Sequence, residues 1–403
     1  MNAGPNPSHP APRHPLTRSR EAILTAAVFL LLGLFAITAF ASRMYHKTVH
    51  VLADQWSAAG ESASGAKNFP EAITDYRNAL IYSPNNSTFQ FRLAKALSAE
   101  GHGDQAETYL LSLLSESPGS GPVNLELARI AAHHPHDMSD AFRYYHAAIY
   151  GVWDADPLIT RSEVRRELCE FLLARSATRL AEPELIALAD NVPQNDVART
   201  KVASNLLLRG QLYSRALVAF QSALDADPED SESLSGAATA AFHLAKYPEA
   251  VNFLQKIPAD QLTSSQSDML ETAHRVIALD PFGVTLSAAS RAAITVHDLD
   301  LAKSHAGNCS VQGGDSLDPK VPPSDLEKLI AQKEANRSMW SERMLVRAPD
   351  RINEAMALAF QMENAVAAAC GPLSGPDRAL WLLGSARAAS SVMPSSSDMG
   401  ARR

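Results

Sequence analysis

The sequence predicts an all-α protein built from stacked helical hairpins. Alanine and leucine are abundant, and β-branched residues never form the alternating runs that indicate strands. Pro84 is followed by Pro118 one period of 34 residues later. Proline ends a helix because its ring cannot continue the backbone hydrogen-bond ladder, so this spacing marks the ends of successive hairpins. Copies at a fixed period predict a solenoid in which each hairpin covers the apolar face of its neighbour.

The stretch from Trp56 to Pro84 carries the clearest copy. Its small and aromatic residues follow one another in a fixed order: Trp56, Gly60, Phe69, Ala72, Tyr76, Ala79 and Pro84. This order and spacing resemble the signature of the tetratricopeptide repeat family. The resemblance implies two antiparallel helices that approach closely at Gly60 and Ala72, with Trp56 and Tyr76 filling the space around that contact.

Further copies follow, and about six units extend to Pro258. The fifth unit is clear, with Ala203, Tyr213, Ala216, Phe220, Ala223 and Pro228 at matching positions. The third unit has one extra residue in its inter-helix loop, and the fourth has a degenerate first helix that starts near Leu158. We therefore place a tetratricopeptide-type solenoid at residues 43–258.

The N-terminal region predicts a membrane anchor. Residues 1–21 are rich in proline and lack apolar periodicity, so we expect a disordered tail. Residues 22–42 are predicted to form a transmembrane helix, because residues 22–41 contain neither charge nor proline and would rise about 30 Å as a helix. Ala39 to Ala41 resemble a signal-peptidase site, but the apolar run is longer than the ~7–15 residues of a signal-peptide core, which favours an uncleaved anchor.

The distribution of basic residues predicts the orientation of this anchor. Arg13, Arg18 and Arg20 precede the apolar segment, while Arg43 and Lys47 follow it. This difference favours a cytoplasmic N-terminus and an extracytoplasmic repeat domain, which would be periplasmic in a Gram-negative bacterium. The net charge of −8 makes the chain a poor candidate for binding nucleic acid.

After Pro258 the repeat period is lost, but helical patterns continue, and we predict a helical region at residues 259–387 that covers the end of the solenoid. Helices are expected at 263–278 and 284–306, then from Ser324 to about Val346, from Pro349 to Cys370 and at 376–387. A loop is expected between Gly307 and Ser324, and residues 388–403 are expected to be a disordered tail.

The three cysteines suggest one structural pair. Cys169 lies where the repeat family places a small residue in the helix contact, so we expect it to be buried and inert. Cys309 and Cys370 lie at or just past predicted helix ends, and outside the cytoplasm a disulfide between them is plausible. Sequence alone leaves open whether geometry allows this bond.

No constellation of catalytic residues is evident. The sequence contains no nucleophile elbow, phosphate loop or HExxH motif, so we expect neither an enzyme, a cofactor nor a small-molecule substrate. One cluster leaves an alternative open, namely a metal-dependent regulator or enzyme that uses His133, His134 and His136 beside Asp137. The other interpretation is a solvated loop, because this run falls between the two helices of the third repeat.

The resemblance also implies a binding groove. In this family, positions 2, 5, 9 and 12 of the first helices line the concave face, and the residues there include Phe91, Lys95, Arg129, Arg166, Glu170, Lys201, Asn205 and Phe242. The four cations would form a basic stripe that could hold an acidic extended segment or a C-terminal carboxylate. Lys201 and Asn205 resemble half of the family's carboxylate clamp, but Gly236 stands where the next Asn is expected. The alternative is that these cations pair with nearby carboxylates.

Together these features predict a membrane-anchored scaffold or adaptor that binds protein partners through its groove. The anchor would be residues 22–41, and the partner would be a protein rather than a nucleic acid. A structural module that associates with itself is the alternative within the same fold.

Overall fold

A computed structural model describes residues 15–134, 138–154, 157–193, 196–312, 325–371 and 373–392 of the 403-residue chain. Within these residues the structure is helical and contains no strand beyond one isolated bridge between Ser120 and Val152. The all-α prediction is therefore confirmed. The chain divides into two compact units, residues 1–164 and 165–403, which we call the N-terminal and C-terminal units. We describe each unit by itself.

The N-terminal unit contains the first three hairpins. Its helices are α1 (Pro15–Gly65), α2 (Phe69–Tyr82), α3 (Ser87–Ala99), α4 (Gly103–Glu116), α5 (Gly121–His133) and α6 (Met138–Ile149). Helix α7 (Pro157–Ala174) contains the boundary between the units. The repeat pattern predicts one continuous solenoid at residues 43–258 and does not indicate this boundary.

The C-terminal unit contains the remaining hairpins and the region that follows them. The hairpin helices are α8 (Thr178–Asp190), α9 (Val197–Arg209), α10 (Tyr213–Ala226), α11 (Ser231–His243) and α12 (Tyr247–Gln255). The later helices are α13 (Ser264–Ala278), α14 (Ala288–Gln312), α15 (Asp325–Ala335), α16 (Glu342–Arg347), α17 (Arg351–Cys370) and α18 (Ala379–Val392), with a 3₁₀ turn at Gly375–Arg378 before α18.

Helix α1 differs from the expected tail and anchor. It begins at Pro15, so residues 15–21 are helical rather than disordered, and it continues past residue 42 into the first repeat without a break. Proline is tolerated in a first helical turn, and no further proline occurs before Pro70 to interrupt the backbone hydrogen bonds. Residues 1–14 of the expected tail lie outside the described residues.

The part of α1 from Ile23 onward is long and apolar enough to cross a membrane, as judged by length and composition. Every side chain from Ile23 to Tyr45 is exposed, so none of the described residues covers this apolar surface. A signal sequence near an N-terminus passes the same test, so the length and composition of this helix fit both a membrane span and a signal sequence.

The first hairpin packs as the signature residues predict. Gly60 and Ala72 are buried at the contact between α1 and α2, and a Cβ atom on Gly60 would lie 2.7 Å from the ring of Tyr76. Trp56 packs against a cluster that also contains Ala79 and, from the next hairpin, Phe89. The small residues therefore let the helices approach closely, and the aromatic residues fill the space beside them.

The hairpin turns share a feature that the sequence did not reveal. In the first, second, fourth, fifth and sixth hairpins, one turn residue has a positive φ, and these residues are Lys67, Gly101, Ser176, Gln211 and Ala245. A left-handed residue lets the next backbone N–H reach back to a carbonyl of the helix end, as Lys246 does to Ala241 at 2.9 Å. Only one of the five is glycine, so the usual sequence signal for this conformation is missing.

The C-terminal helices differ from expectation at their ends. Helix α14 starts at Ala288 and continues through Gly307 to Gln312, while the expected helix from Ser324 to Val346 is divided into α15 and α16. The division occurs where Trp340 turns inward and is buried. We expected residues 388–392 to be disordered, but they belong to helix α18. The alanines in this stretch favour the helix. Residues 313–324 and 393–403 lie outside the described residues.

Helices α14 and α17 pack against each other in the core of the C-terminal unit, and Cys309 and Cys370 join them by a disulfide with a Cα–Cα distance of 6.0 Å. Beside the disulfide, Ala306, Leu326 and Val366 form a buried apolar cluster. The two cysteines that the sequence singled out therefore form a covalent link between the main helices of this region.

Candidate functional site

The residues predicted to line the groove lie on the first helices of successive hairpins. In the N-terminal unit these are Phe91 and Lys95 on α3 and Arg129 on α5; in the C-terminal unit they are Arg166 on α7, Lys201 and Asn205 on α9, and Phe242 on α11. They are distributed over both units, and the contacts of each set are local to its unit.

In the N-terminal unit, charged side chains bridge neighbouring first helices. Arg92 of α3 lies 2.6 Å from Glu61 and donates a 2.7 Å hydrogen bond to Ser57, both on α1. Arg129 pairs with Glu126 of its own helix at 2.9 Å. Lys95 is exposed, and its Nζ lies 5.9 Å from the centre of the Phe91 ring. Among the described residues, Lys95 has no carboxylate partner.

In the C-terminal unit, the predicted cations carry their own counter-ions. Arg166 pairs with Glu170 at 2.7 Å, one helical turn away. Lys201 bridges to the next hairpin, where it lies 2.9 Å from both Asp230 and Glu232. Asn205, which together with Lys201 resembles half of a carboxylate clamp, donates a hydrogen bond of 2.8 Å to Glu232.

These pairings change the electrostatics of the predicted stripe. Hydrogen bonds to Asp230 and then Glu232 raise the pKa of Lys201. Hydrogen bonds from Lys201 and Asn205 lower the pKa of Glu232. Burial opposes charge on Asp230, but hydrogen bonds from Ser233 and Lys201 outweigh it and the pKa is lowered. The arrangement is thus a closed ion-pair network that ties α9 to α11, and of the four predicted cations Lys95 is the least compensated.

A carboxylate clamp is incomplete here for a steric reason. Gly236 is buried in α11 beneath the ring of Phe220, and a Cβ atom at this position would lie 2.2 Å from the Phe220 Cζ. Phe220 is itself fully buried in α10. An Asn at position 236 therefore cannot be accommodated unless α10 and α11 move apart.

We predict that Gly236→Ala lowers the free energy of unfolding of the C-terminal unit by about 1–3 kcal/mol, because it overpacks the α10–α11 contact. Gly307→Ala is the matched control, since Gly307 lies within α14 and has no atom within 4 Å of the added Cβ. That control should be stabilising by up to about 1 kcal/mol. Urea denaturation of both variants measures the difference, and equal effects would contradict the packing role of Gly236.

Phe242 lies at a junction that the repeat pattern does not predict. Its ring is buried, meets Tyr247 edge-on at 5.4 Å between centroids, and has the guanidinium carbon of Arg378 5.7 Å from its centre. Arg378 belongs to the 3₁₀ turn before α18, far along the chain from the sixth hairpin. No repeat-based signal could have indicated this contact, because Arg378 lies outside the repeats.

The histidine cluster has ordinary surroundings where it is described. His133 and His134 are exposed at the end of α5, and His133 Nδ1 lies 2.7 Å from the carbonyl oxygen of Arg129. His136 and Asp137 lie outside the described residues. Across the described parts of the chain, no three His, Cys, Asp or Glu side chains are placed to hold a metal ion.

Cys169 fits its predicted position in the helix contact. Its side chain is fully buried in α7, and burial raises the pKa of its thiol to about 12. Beside it, Arg165 and Glu184 form an ion pair at 3.1 Å that joins α7 to α8 with both side chains about nine-tenths buried.

A second polar cluster lies in the core between α14 and α17. His305 Nδ1 lies 2.7 Å from Glu363 Oε1, and this hydrogen bond raises the pKa of His305. Asp298 is fully buried, and its Oδ1 lies 3.4 Å from His297 Nδ1. Burial first, and then the charges of Asp280 and Glu363, raise the pKa of Asp298 to about 8. The cluster therefore places the His305–Glu363 hydrogen bond beside an Asp that is mostly protonated at pH 7.

Comparison with known families identifies the repeats. Residues 63–123 and 207–273 match a family model described as a tetratricopeptide repeat. The first stretch contains α2, α3 and α4, and the second contains α10, α11 and α12. Together the two stretches cover less than half of the chain. The chain folds as a tetratricopeptide repeat solenoid. A search of curated protein sequences gave no significant match.

Several solved structures resemble the solenoid. YrrB, described as a TPR protein with an unusual peptide-binding site, is 14% identical over 48% of this chain and 95% of its own, with a TM-score of 0.38. PilW, a type IV pilus biogenesis factor, is 15% identical over 55% and 98%, also with a TM-score of 0.38. The TPR2AB domain of yeast Sti1 in complex with pHSP90 is 16% identical over 77% and 98%, with a TM-score of 0.27. At these values the similarities carry no argument about a ligand.

Proposed function

We propose that this protein is a membrane-anchored scaffold that binds protein partners through the first-helix faces of its repeats. The observation that supports this most directly is the set of polar bridges between successive first helices. Arg92 joins α3 to α1, and Lys201 with Asn205 joins α9 to α11. Because these bridges fix the side chains before a partner arrives, less ordering entropy is lost on binding.

The partner we propose is an extended protein segment with acidic residues or a free C-terminus. Its acidic groups would meet Lys95, which is exposed beside the half-buried Phe91 and makes no ion pair among the described residues. Lys201 is already paired twice, so it would contribute to the shape of the surface more than to its charge.

For location, we propose that residues 22–41 span a membrane, that the N-terminus is cytoplasmic and that the repeats lie outside the cytoplasm, at the cell envelope of a bacterium. The exposed apolar surface of α1 supports insertion, because water would be an unfavourable environment for it. The disulfide between Cys309 and Cys370 supports an oxidising compartment, where such bonds persist.

Site-specific photo-crosslinking in living cells tests the function. A photoreactive amino acid at Lys95 or Asn205, on first helices, is expected to trap a protein partner. The matched positions Leu111 and Val218 are exposed apolar residues on α4 and α10, the second helices of the same two hairpins, and should trap much less. The readout is the mass-spectrometric identity of each crosslinked product.

Two results would contradict the proposal. Crosslinks at Lys95 and Asn205 that join only copies of this chain would favour the alternative, a structural module that associates with itself. Equal trapping from first-helix and second-helix positions would show that the binding surface is not the groove face.

A further inference from the structure

Two clefts of the C-terminal unit meet at Arg378. The smaller, of about 560 Å³, lies beside Thr272 and Leu373. The larger, of about 1130 Å³, extends to Phe242 and Tyr247. Met269, Arg378 and Trp381 line both clefts, so the guanidinium lies between two largely apolar cavities.

The guanidinium of Arg378 is half-buried and has no hydrogen-bond or ion-pair partner among the described residues. Its Nε is fully buried and unsatisfied, and its described contact is with the ring of Phe242. The adjacent carboxylate, Asp377, is held by Arg275 at 3.1 Å. Asp268 lines the smaller cleft but does not come within ion-pair distance of Arg378.

Two other half-buried arginines with an unsatisfied Nε differ in this respect. Arg161 donates to the carbonyl oxygen of Gly151, and Arg291 donates to that of Gly283. A buried donor without an acceptor is unfavourable, and it is most so for a charged group. The positive charge of Arg378 also affects a neighbouring group. Burial, and after it the charge of Arg378, lowers the pKa of His243. The site is therefore electrostatically suited to an anion.

We propose that Arg378 binds the carboxylate side chain of an acidic residue inside an extended protein segment, with an apolar residue of the same segment in each cleft. A planar guanidinium can bind a carboxylate through two parallel hydrogen bonds. Arg378 lines both clefts, so a segment that fills both must run past this residue and does not end at it. This proposal assumes the protein-binding function above but places the contact outside the repeats, on a residue of the C-terminal region.

Fluorescence anisotropy with labelled peptides tests the proposal on the full-length chain in detergent. The probes are three peptides with blocked termini. Each has a central Glu flanked by two Leu residues, which stand one residue away on either side in the first peptide, two in the second and three in the third. At least one is expected to bind saturably. Replacing its Glu by Gln should weaken binding about ten- to hundredfold, the range of a charge-assisted hydrogen-bonded pair.

Variants of the chain assign this effect to Arg378. Arg378→Gln should weaken binding of the Glu peptide by the same factor, and on this variant the Glu and Gln peptides should bind equally. Arg378→Lys should restore part of the affinity, which separates loss of charge from loss of fold. Lys303→Gln is the matched control, because Lys303 is already paired with Glu334 at 2.6 Å. It should leave affinity unchanged.

Three outcomes would overturn the proposal. The first is no saturable binding of any probe to the unmodified chain. The second is a preference for Glu over Gln that persists in Arg378→Gln. The third is binding that requires a free peptide C-terminus and not the internal Glu. None of these depends on Lys95 or Asn205, so failure here is distinguishable from failure of the crosslinking experiment.

Discussion

Replacing Asp298 with Asn is expected to raise the free energy of unfolding of the C-terminal unit at pH 7 by about 4 kcal/mol. Burial and two negative neighbours raise the pKa of Asp298 from the ordinary value of 3.8 to about 8 in the folded chain. Between these values, folding requires uptake of a proton. Below about pH 4, Asp298 therefore does not lower the free energy of unfolding, because it is protonated in both states. As the pH rises to about 8, the free energy of unfolding falls progressively. Asn keeps the shape and does not titrate.

The pH profile of this variant distinguishes titration from a simple packing gain. The difference between Asp298→Asn and the unmodified chain should be small near pH 4 and grow by about 1.4 kcal/mol per pH unit up to about pH 8. Urea-dependent hydrogen exchange of α14 and α17 amides measures it. The exposed carboxyl of Asp225 gives the control, Asp225→Asn, which should show no such trend. A difference that does not vary with pH would contradict a buried neutral Asp298.

Replacing both Cys309 and Cys370 with Ala is expected to lower the free energy of unfolding of the C-terminal unit by about 4 kcal/mol. The disulfide closes a loop with a sequence separation of 61 residues, and opening that loop gives the unfolded chain more conformations. Addition of dithiothreitol to the unmodified chain should cause a similar loss. Thermal unfolding of oxidised, reduced and double-variant proteins provides the comparison.

The double variant is its own control for the reductant, because dithiothreitol should not change its unfolding.

The oxidation state of the pair in cells also tests the proposed location. Alkylation of freshly lysed cells should find Cys309 and Cys370 protected unless a reductant is added first, as expected for an oxidising compartment. Freely alkylated cysteines at both positions would contradict the extracytoplasmic location.

Sequence alone was sufficient for the hairpins, because their packing depends on residue size at fixed spacing. Gly60 and Ala72 must be small for α1 and α2 to approach, and the buried Tyr76 must be large to fill the remaining space. These packing properties are local, so a pattern along the chain records them. Cys309 and Cys370 could be selected for a different reason, since the sequence has only three cysteines to pair.

Charge compensation could not be derived in the same way. Lys201 meets Asp230 and Glu232 from the next hairpin, and such a pairing depends on side-chain rotamers that no spacing rule specifies. Arg378 presents the opposite case. In the sequence it resembles an ordinary surface cation. Only the folded chain shows that α13, the sixth hairpin and the turn before α18 surround its guanidinium without supplying an acceptor among the described residues.

The unbroken helix α1 gives the chain a mechanical property. In a membrane-inserted chain, the residues from Ser42 to Leu52 form a stiff shaft between the bilayer and Ala53, the first buried residue of the repeats. Each residue inserted into or removed from this shaft would rotate the first repeat by about 100° about the helix axis and shift it by about 1.5 Å along the axis. The length of the shaft therefore sets both the distance of the first repeat from the membrane and its rotation about the helix axis.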